Sequence, residues 1–212
     1  MIVKNLCRLT RLMSALTELN EEITRCHLCE IAKTRTNAVP GEGAEDAEIL
    51  FIGEGPGWHE DQQGRPFVGP AGKYLDELLA SINLNRRQVY IANVIKCRPP
   101  GNRDPLPTEI NNCSQWLDRQ IEIIRPKIII TLGRYSMAKF FPGKTISKIH
   151  GTAQKWNDIV CFAMYHPAAA LHQQSLRRAI EEDMHKIPSL LAQAADMPEA
   201  KPQPKQLGMF EV

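Results

Sequence analysis

The chemistry of this chain must come from a few cysteines, a glycine-rich loop and a scatter of acidic, amide and imidazole side chains. Cys26-x-x-Cys29 is a metal-type pair, because one short turn can aim two thiolates at one point. Cys97 and Cys113 have fifteen residues between them and sit beside loops or helix starts. Four thiolates suit zinc or a four-iron cluster. In the competing reading, Cys97 and Cys113 are ordinary small core residues. Spacing alone leaves both readings open. Cys7 and Cys161 lie in apolar stretches and read as buried core.

The segment from Gly53 to Gly72 holds six glycines and three prolines. Glycines let a backbone approach a ligand closely. The spacing here fits neither the dinucleotide fingerprint nor the P-loop, so a plain phosphate cradle is not indicated. Two polar residues end apolar runs further on: Asn93, and His166 in Tyr165-His166-Pro167. Taken singly, Asn93 is a strand-end cap, His166-Pro167 a turn and Phe67 a core residue. Only convergence on one place would make them a site.

The elements that must position these groups follow from periodicity. Residues 1–30 read as a helix, with Leu9, Leu12, Met13, Leu16 and Leu19 at helical spacing. Residues 47–52 form a short apolar run that stops at Gly53, and further strands are expected at 89–95, 127–132 and 159–164. Helices are expected at 73–82, from a Thr108 cap to Ile124, at 136–141 and at 171–195. Strands buried on both faces and alternating with helices predict an α/β fold, a three-layer α/β/α sandwich around a central four-stranded parallel sheet. In such sheets ligands bind beyond the carboxyl ends of the strands. The Gly53–Gly72 loop, Asn93 and His166 all fall there, so three distant segments are expected to share one crevice.

The chain of 212 residues carries a net charge of only +2, so any nucleic-acid surface must be a local patch. No stretch reaches the roughly 18 apolar residues of a membrane span. Lys4, Arg8 and Arg11 interrupt the N-terminal apolar residues, which argues against a signal peptide. A cytosolic monomer is expected, in which six cysteines would not form a disulfide framework. Residues 1–195 are read as the domain and 196–212 as a disordered tail.

Gly-Glu-Gly-Pro-Gly-x-x-Glu-Asp at 53–61, with Gly-x-Pro-Phe-Val-Gly at 64–69, resembles the first motif of family-four, iron–sulfur uracil-DNA glycosylases of the bacterial type. Tyr165-His166-Pro167 resembles their second motif, and Cys26, Cys29, Cys97 and Cys113 match the spacing of their cluster ligands. The resemblance runs from about Cys26 to Leu190. It implies an enzyme that flips uracil out of DNA and hydrolyses its glycosidic bond in base-excision repair. It also implies roles. Glu54, Gly55 and Pro56 would line the pocket, Phe67 would stack on the base, and Asn93 would bond its Watson–Crick edge. His166 would donate to the uracil oxygen that gains charge. Glu54 and Glu60 are both candidates for stabilising the sugar cation or placing water. The four cysteines would hold a four-iron, four-sulfur cluster.

A related subgroup traps its sites covalently through a histidine in a basic insertion after the second strand. Residues 96–104 contain no histidine and no room for that insertion, which favours turnover. Leu171 is the candidate wedge for the space a flipped base leaves. Arg98, Arg103, Lys148 and His150 are candidate contacts to DNA phosphate or sugar. Gln206-Leu207-Gly208-Met209-Phe210 resembles the peptide by which bacterial repair proteins dock on the sliding clamp; Gln206, Leu207, Met209 and Phe210 would make that contact.

Overall fold

The computed structural model describes residues 14–194. Leu9, Leu12, Met13, Cys7 and the whole clamp-like peptide lie outside the described residues.

Four buried, largely apolar runs build the centre of the sheet. Strands β2 (Ile49–Gly53), β3 (Tyr90–Asn93), β4 (Ile128–Leu132) and β6 (Ile159–Met164) are parallel to one another in the order β3-β2-β4-β6. The expected four-stranded parallel core is thus present, but the sheet has six strands and is mixed. Two-residue β1 (Glu42–Gly43) pairs antiparallel with β3, and β5 (Ala153–Trp156) pairs antiparallel with β6. Ala-Gln-Lys-Trp in β5 is only half-buried throughout, so it lacks the apolar run that marks an interior strand.

Side chains alternate across the sheet, as a period of two demands. Leu50, Ile52, Tyr90, Ala92, Ile129, Cys161 and Ala163 face one core with α1 (Ala15–Thr24), α4 (Pro107–Ile124) and α5 (Arg134–Phe140). Ile49, Phe51, Ile91, Ile130, Phe162 and Met164 face the other, with α3 (Pro70–Ser81), α8 (Ser175–Met184) and α9 (Ile187–Gln193). The three-layer sandwich follows. Of the expected first helix, Leu16 and Leu19 are buried on α1, which stops at Thr24.

Three helical readings need correcting. The glycine loop contains a short helix, α2 (Trp58–Gln63), which ends at Gly64 in the left-handed region, φ 67°. Helix α4 starts at Pro107, a position where proline's missing N–H costs nothing, and not from a Thr108 cap. Its Glu109 carboxylate reaches back to accept the Leu106 N–H at 2.7 Å. The single C-terminal helix expected over 171–195 is three: α7 (Pro167–His172), α8 and α9. Gln173 is extended at the first break and Pro188 sits at the start of α9.

The chain leaves β2 toward β3 on one side, and β4 toward β6 on the other. The carboxyl ends of β2 and β4 therefore flank the point where the strand order reverses, where open α/β sheets bind ligands.

Candidate active site

At that point two strand ends carry glycines under tight geometric demand. A Cβ at Gly53 would lie 2.4 Å from Asn93 Oδ1 and 2.7 Å from Phe67 Cζ. Gly133, after β4, has φ +91°, and a Cβ there would lie 3.2 Å from His166 Cβ. Both clashes locate the same thing: Asn93, Phe67 and His166 crowd the space that a side chain at either strand end would fill. The three segments read from the sequence as neighbours are neighbours.

Asn93 is 2 % exposed, and its Oδ1 is a buried acceptor with no hydrogen-bond partner among the described residues. Buried polar atoms are rarely left so. Phe67 and His166 lie face to face, with ring centroids 5.4 Å apart and planes tilted by 22°. His166 Nδ1 accepts the Ala168 N–H at 3.1 Å, so in the neutral ring the proton sits on Nε2. Burial pushes the His166 pKa down from 6.5 to about 4, against the opposing pull of the Glu60 carboxylate. The ring is therefore a neutral Nε2–H donor at physiological pH.

Phe67 sits at φ 52°, an uncommon conformation for an aromatic residue. The surroundings enforce it from both polarities. The Arg86 guanidinium donates to the Pro66 carbonyl at 2.9 Å and to the Phe67 carbonyl, and bonds Asp76 at 2.5 Å. The Glu60 carboxylate accepts the N–H groups of Val68 and Gly69, each at 3.0 Å, and of Gly57 at 3.1 Å. Gly72 completes the fit, since a Cβ there would run into the Phe67 carbonyl oxygen. Glu60, expected as a second catalytic candidate, is thus a brace whose two oxygens are spent on three backbone amides.

Glu54 is placed differently. It follows β2 directly, half-buried, and its side chain makes no hydrogen bond among the described residues. Burial raises its pKa above the ordinary value; the Asp104 charge adds to this and Arg134 opposes it. Asp104 and Arg134 pair at 2.5 Å, and Arg134 lies over the Tyr135 ring. Gly55 packs against Ile95 so closely that a Cβ would lie 2.6 Å from it, and Pro56 is buried. Arg134, Asp104 and Arg86 escaped the sequence reading; only Gly133, a glycine at a strand end, hinted at the first.

The cysteines form a second centre. Cys26, Cys29, Cys97 and Cys113 line one small recess, with Leu28, Ala32, Lys96 and Trp116. All are free thiols, as is buried Cys161. Among the described residues no three His, Cys, Asp or Glu stand at the spacing for a single metal ion. Two donors point at sulfur: the Arg35 guanidinium at Cys97 Sγ, 3.0 Å, and the Lys96 N–H at Cys113 Sγ, 3.3 Å. Burial pushes the Cys113 thiol up to about 12 and also raises Cys97. Four thiols around one recess, with N–H groups aimed at two of them, are the donor chemistry that a four-iron, four-sulfur cluster takes.

The expected DNA contacts are scattered around the crevice. Leu171 is 49 % exposed on α7, and not packed inward. Lys148 is exposed. Arg98 bonds Asn102 at 2.6 Å, and Arg103 is forked onto buried Glu109 at 2.6 and 2.9 Å. His150 Nδ1 bonds Asp183 at 2.8 Å, and its ring lies 4.6 Å from that of Tyr165. No helix among the described residues is long and apolar enough to cross a membrane.

Comparison with known proteins agrees with this geometry. Residues 40–186 match the model of the uracil DNA glycosylase superfamily. A type-4 uracil-DNA glycosylase of Sulfurisphaera tokodaii is 50 % identical over 188 residues, covering 84 % of this chain and 86 % of the relative. One from Archaeoglobus fulgidus is 48 % identical over 84 % of this chain and 94 % of the relative. One from Thermotoga maritima is 44 % identical over 81 % and 92 %. With its switch-point crevice and its cysteine recess, the chain belongs to the uracil-DNA glycosylase superfamily, among proteins of the type-4 kind.

Proposed function

We propose that this protein excises uracil from DNA, hydrolysing the N-glycosidic bond and leaving an abasic site for base-excision repair. The observation that carries the reading is the unpartnered Oδ1 of Asn93, held beside Phe67 in the crevice. A buried acceptor there suits the ring N–H of uracil and repels the bare ring nitrogen that cytosine has in its place. Sites of this kind discriminate by about 10⁴-fold or more, because the wrong base leaves buried groups unpaired.

Each residue then has a task. The target base leaves the duplex stack, at a cost of a few kcal/mol. Phe67 stacks on it, Gly55 and Pro56 line its pocket, and Asn93 reads its edge. Bond breaking pushes negative charge onto the base, and the neutral His166 Nε2–H meets it. One such donor contributes roughly 3–4 kcal/mol. Glu54, the carboxylate left free of backbone bonds, positions water or stabilises the sugar cation. Leu171 fills the vacated stack. Arg98, Arg103, Lys148 and His150 hold phosphate or sugar, Arg103 with the edge that Glu109 leaves open. Incubation with single- and double-stranded uracil oligonucleotides, followed by alkaline cleavage, should cut at uracil alone; intact strands would sink the reading.

Cys26, Cys29, Cys97 and Cys113 would hold a four-iron, four-sulfur cluster. When bound, it supplies a cross-link between three chain segments. Purified protein should be brown with iron and sulfide; a colourless protein carrying one zinc would overturn this. The chain works as a cytosolic monomer, and Gln206–Phe210 docks on a sliding clamp. The clamp reading rests on the peptide's sequence, with three large apolar side chains after a proline-rich leader. A binding titration with clamp that gave no signal, or one unchanged by deleting residues 206–212, would remove it.

A further inference from the structure

Among the described residues, Lys96 is the one lysine or arginine that is fully buried, at 1 % exposure. A lysine head is costly to bury unless it is bonded, and an apolar side chain would fill the space without that cost. What its Nζ bonds is specific. It donates to the backbone carbonyl of Asn93 at 2.8 Å and to Gln120 Oε1 at 2.6 Å. Gln120 is itself fully buried on α4 and donates to the Pro40 carbonyl at 2.8 Å.

The Asn93 carbonyl lies at the end of β3. Beyond it the chain still follows β2, with Val94 and Ile95 donating to the Gly53 and Glu54 carbonyls at 3.0 and 3.1 Å. Lys96 then folds back three residues to cap the Asn93 peptide. Its backbone is anchored at the other centre. The Lys96 N–H donates to Cys113 Sγ, and the next residue is Cys97, which accepts from Arg35. One residue therefore touches both the cysteine set, through its main chain, and the base-reading asparagine, through its side chain.

We propose that Lys96 is a positioning residue for base recognition, passing the geometry fixed at Cys97 and Cys113 to the amide of Asn93. The inference rests on the pocket reading above and deepens it. An amide that selects a base must be held to a fraction of an ångström, by partners that do not themselves touch the base. Without the ammonium, the Asn93 carbonyl and Gln120 Oε1 lose their shared donor, and the Asn93–Val94 peptide is held on one side only, by the Val94 N–H on the Gly53 carbonyl. The cysteine set, on this account, sets the pocket without touching substrate.

The test is Lys96→Met in the cluster-loaded protein, read by inhibition with free uracil, by KM and single-turnover rate on a uracil oligonucleotide, by visible absorbance and by thermal melting. We expect the uracil inhibition constant and KM to rise roughly tenfold and the single-turnover rate to fall by up to about 100-fold. Absorbance per chain should stay unchanged, and the melting temperature should fall somewhat, because two buried acceptors lose their donor. A role confined to stability would lower the melting temperature while the folded protein bound uracil as before; that result overturns the proposal. Should Lys96→Met fail to accumulate folded, Gln120→Leu takes its place. It removes one of the two Nζ acceptors without touching a cysteine contact. Weaker uracil inhibition supports the assignment, and inhibition equal to wild type overturns it. A wild-type chain that neither cuts uracil DNA nor is inhibited by uracil overturns the pocket reading and this one together. A wild type that does both, matched by its Lys96→Met variant, overturns the Lys96 assignment alone.

Discussion

The two walls of the crevice are built on opposite plans. On the Phe67 side the backbone is tied from both directions: the Val68 and Gly69 amides to Glu60 and the Pro66 and Phe67 carbonyls to Arg86, with Gly72 leaving no slack. On the Glu54 side the carboxylate is half-buried and unbraced, and its neighbours Asp104 and Arg134 pair with each other in the open. The braced wall, on the proposed reading, would face a flat, unchanging ligand, and Phe67 persists at φ 52° because the surroundings over-determine it. The open wall, on the proposed reading, would face water and a sugar whose charge changes during reaction. Rigidity is concentrated where the ligand is constant.

Three variants probe that contrast. The largest effect should come where the braced wall meets the developing charge. His166→Ala should lower the single-turnover rate about 10²–10³-fold, the usual cost of one charge-stabilising donor. Full activity in that variant would leave the leaving-group role empty. Next comes the open wall, where Glu54→Gln should cost about 10²-fold. Its pH profile sharpens the point. A carboxylate acts here when ionised, and burial raises the Glu54 pKa above 4.5, so activity should fall with acid through a limb above that value. His166, held down to about 4, is still neutral there and does not set the limb. Glu54→Gln should flatten the limb; a limb unmoved by it would assign the titration elsewhere. The smallest effect should be Arg86→Met. It leaves the carbonyls of Pro66 and Phe67 without their donor, at a cost of about 2 kcal/mol in stability. KM should rise roughly tenfold as the ring loses its fixed pose, with little change in the rate at saturation. A drop in melting temperature with KM unchanged would mean that the loop holds Phe67 without help.

What was legible in the sequence was what is written locally. Ile49–Ile52, Ile128–Leu132 and Ile159–Met164 are buried on both faces and announce themselves as apolar runs, and glycines at 53 and 133 punctuate them. Cys26-x-x-Cys29 and Tyr165-His166-Pro167 are equally local. Edge strands were not legible: β1 has two residues, and β5 mixes polar and apolar side chains. Glu60 is the instructive case. As a carboxylate in a glycine loop it reads as catalytic, and only the fold shows three amides closing on it. Arg86 reaches Phe67 across nineteen residues and Lys96 reaches Gln120 across twenty-four, and no periodicity reports such pairs. Arg103 reads from the sequence as a candidate phosphate contact, and only the fold shows Glu109, buried at the start of α4, holding two of its nitrogens.

The order of groups along the chain has a consequence for biosynthesis. Cys26, Cys29, Cys97 and Cys113 are all in place once α4 has been made, whereas β4, β6 and His166 come later. A nascent chain therefore holds every thiol of the recess before the sheet acquires β4, the neighbour of β2 on the side away from β3. On the proposed reading, the four cluster thiols are delivered before His166, so loading and catalytic competence would be separated in time by the order in which the ribosome delivers the residues.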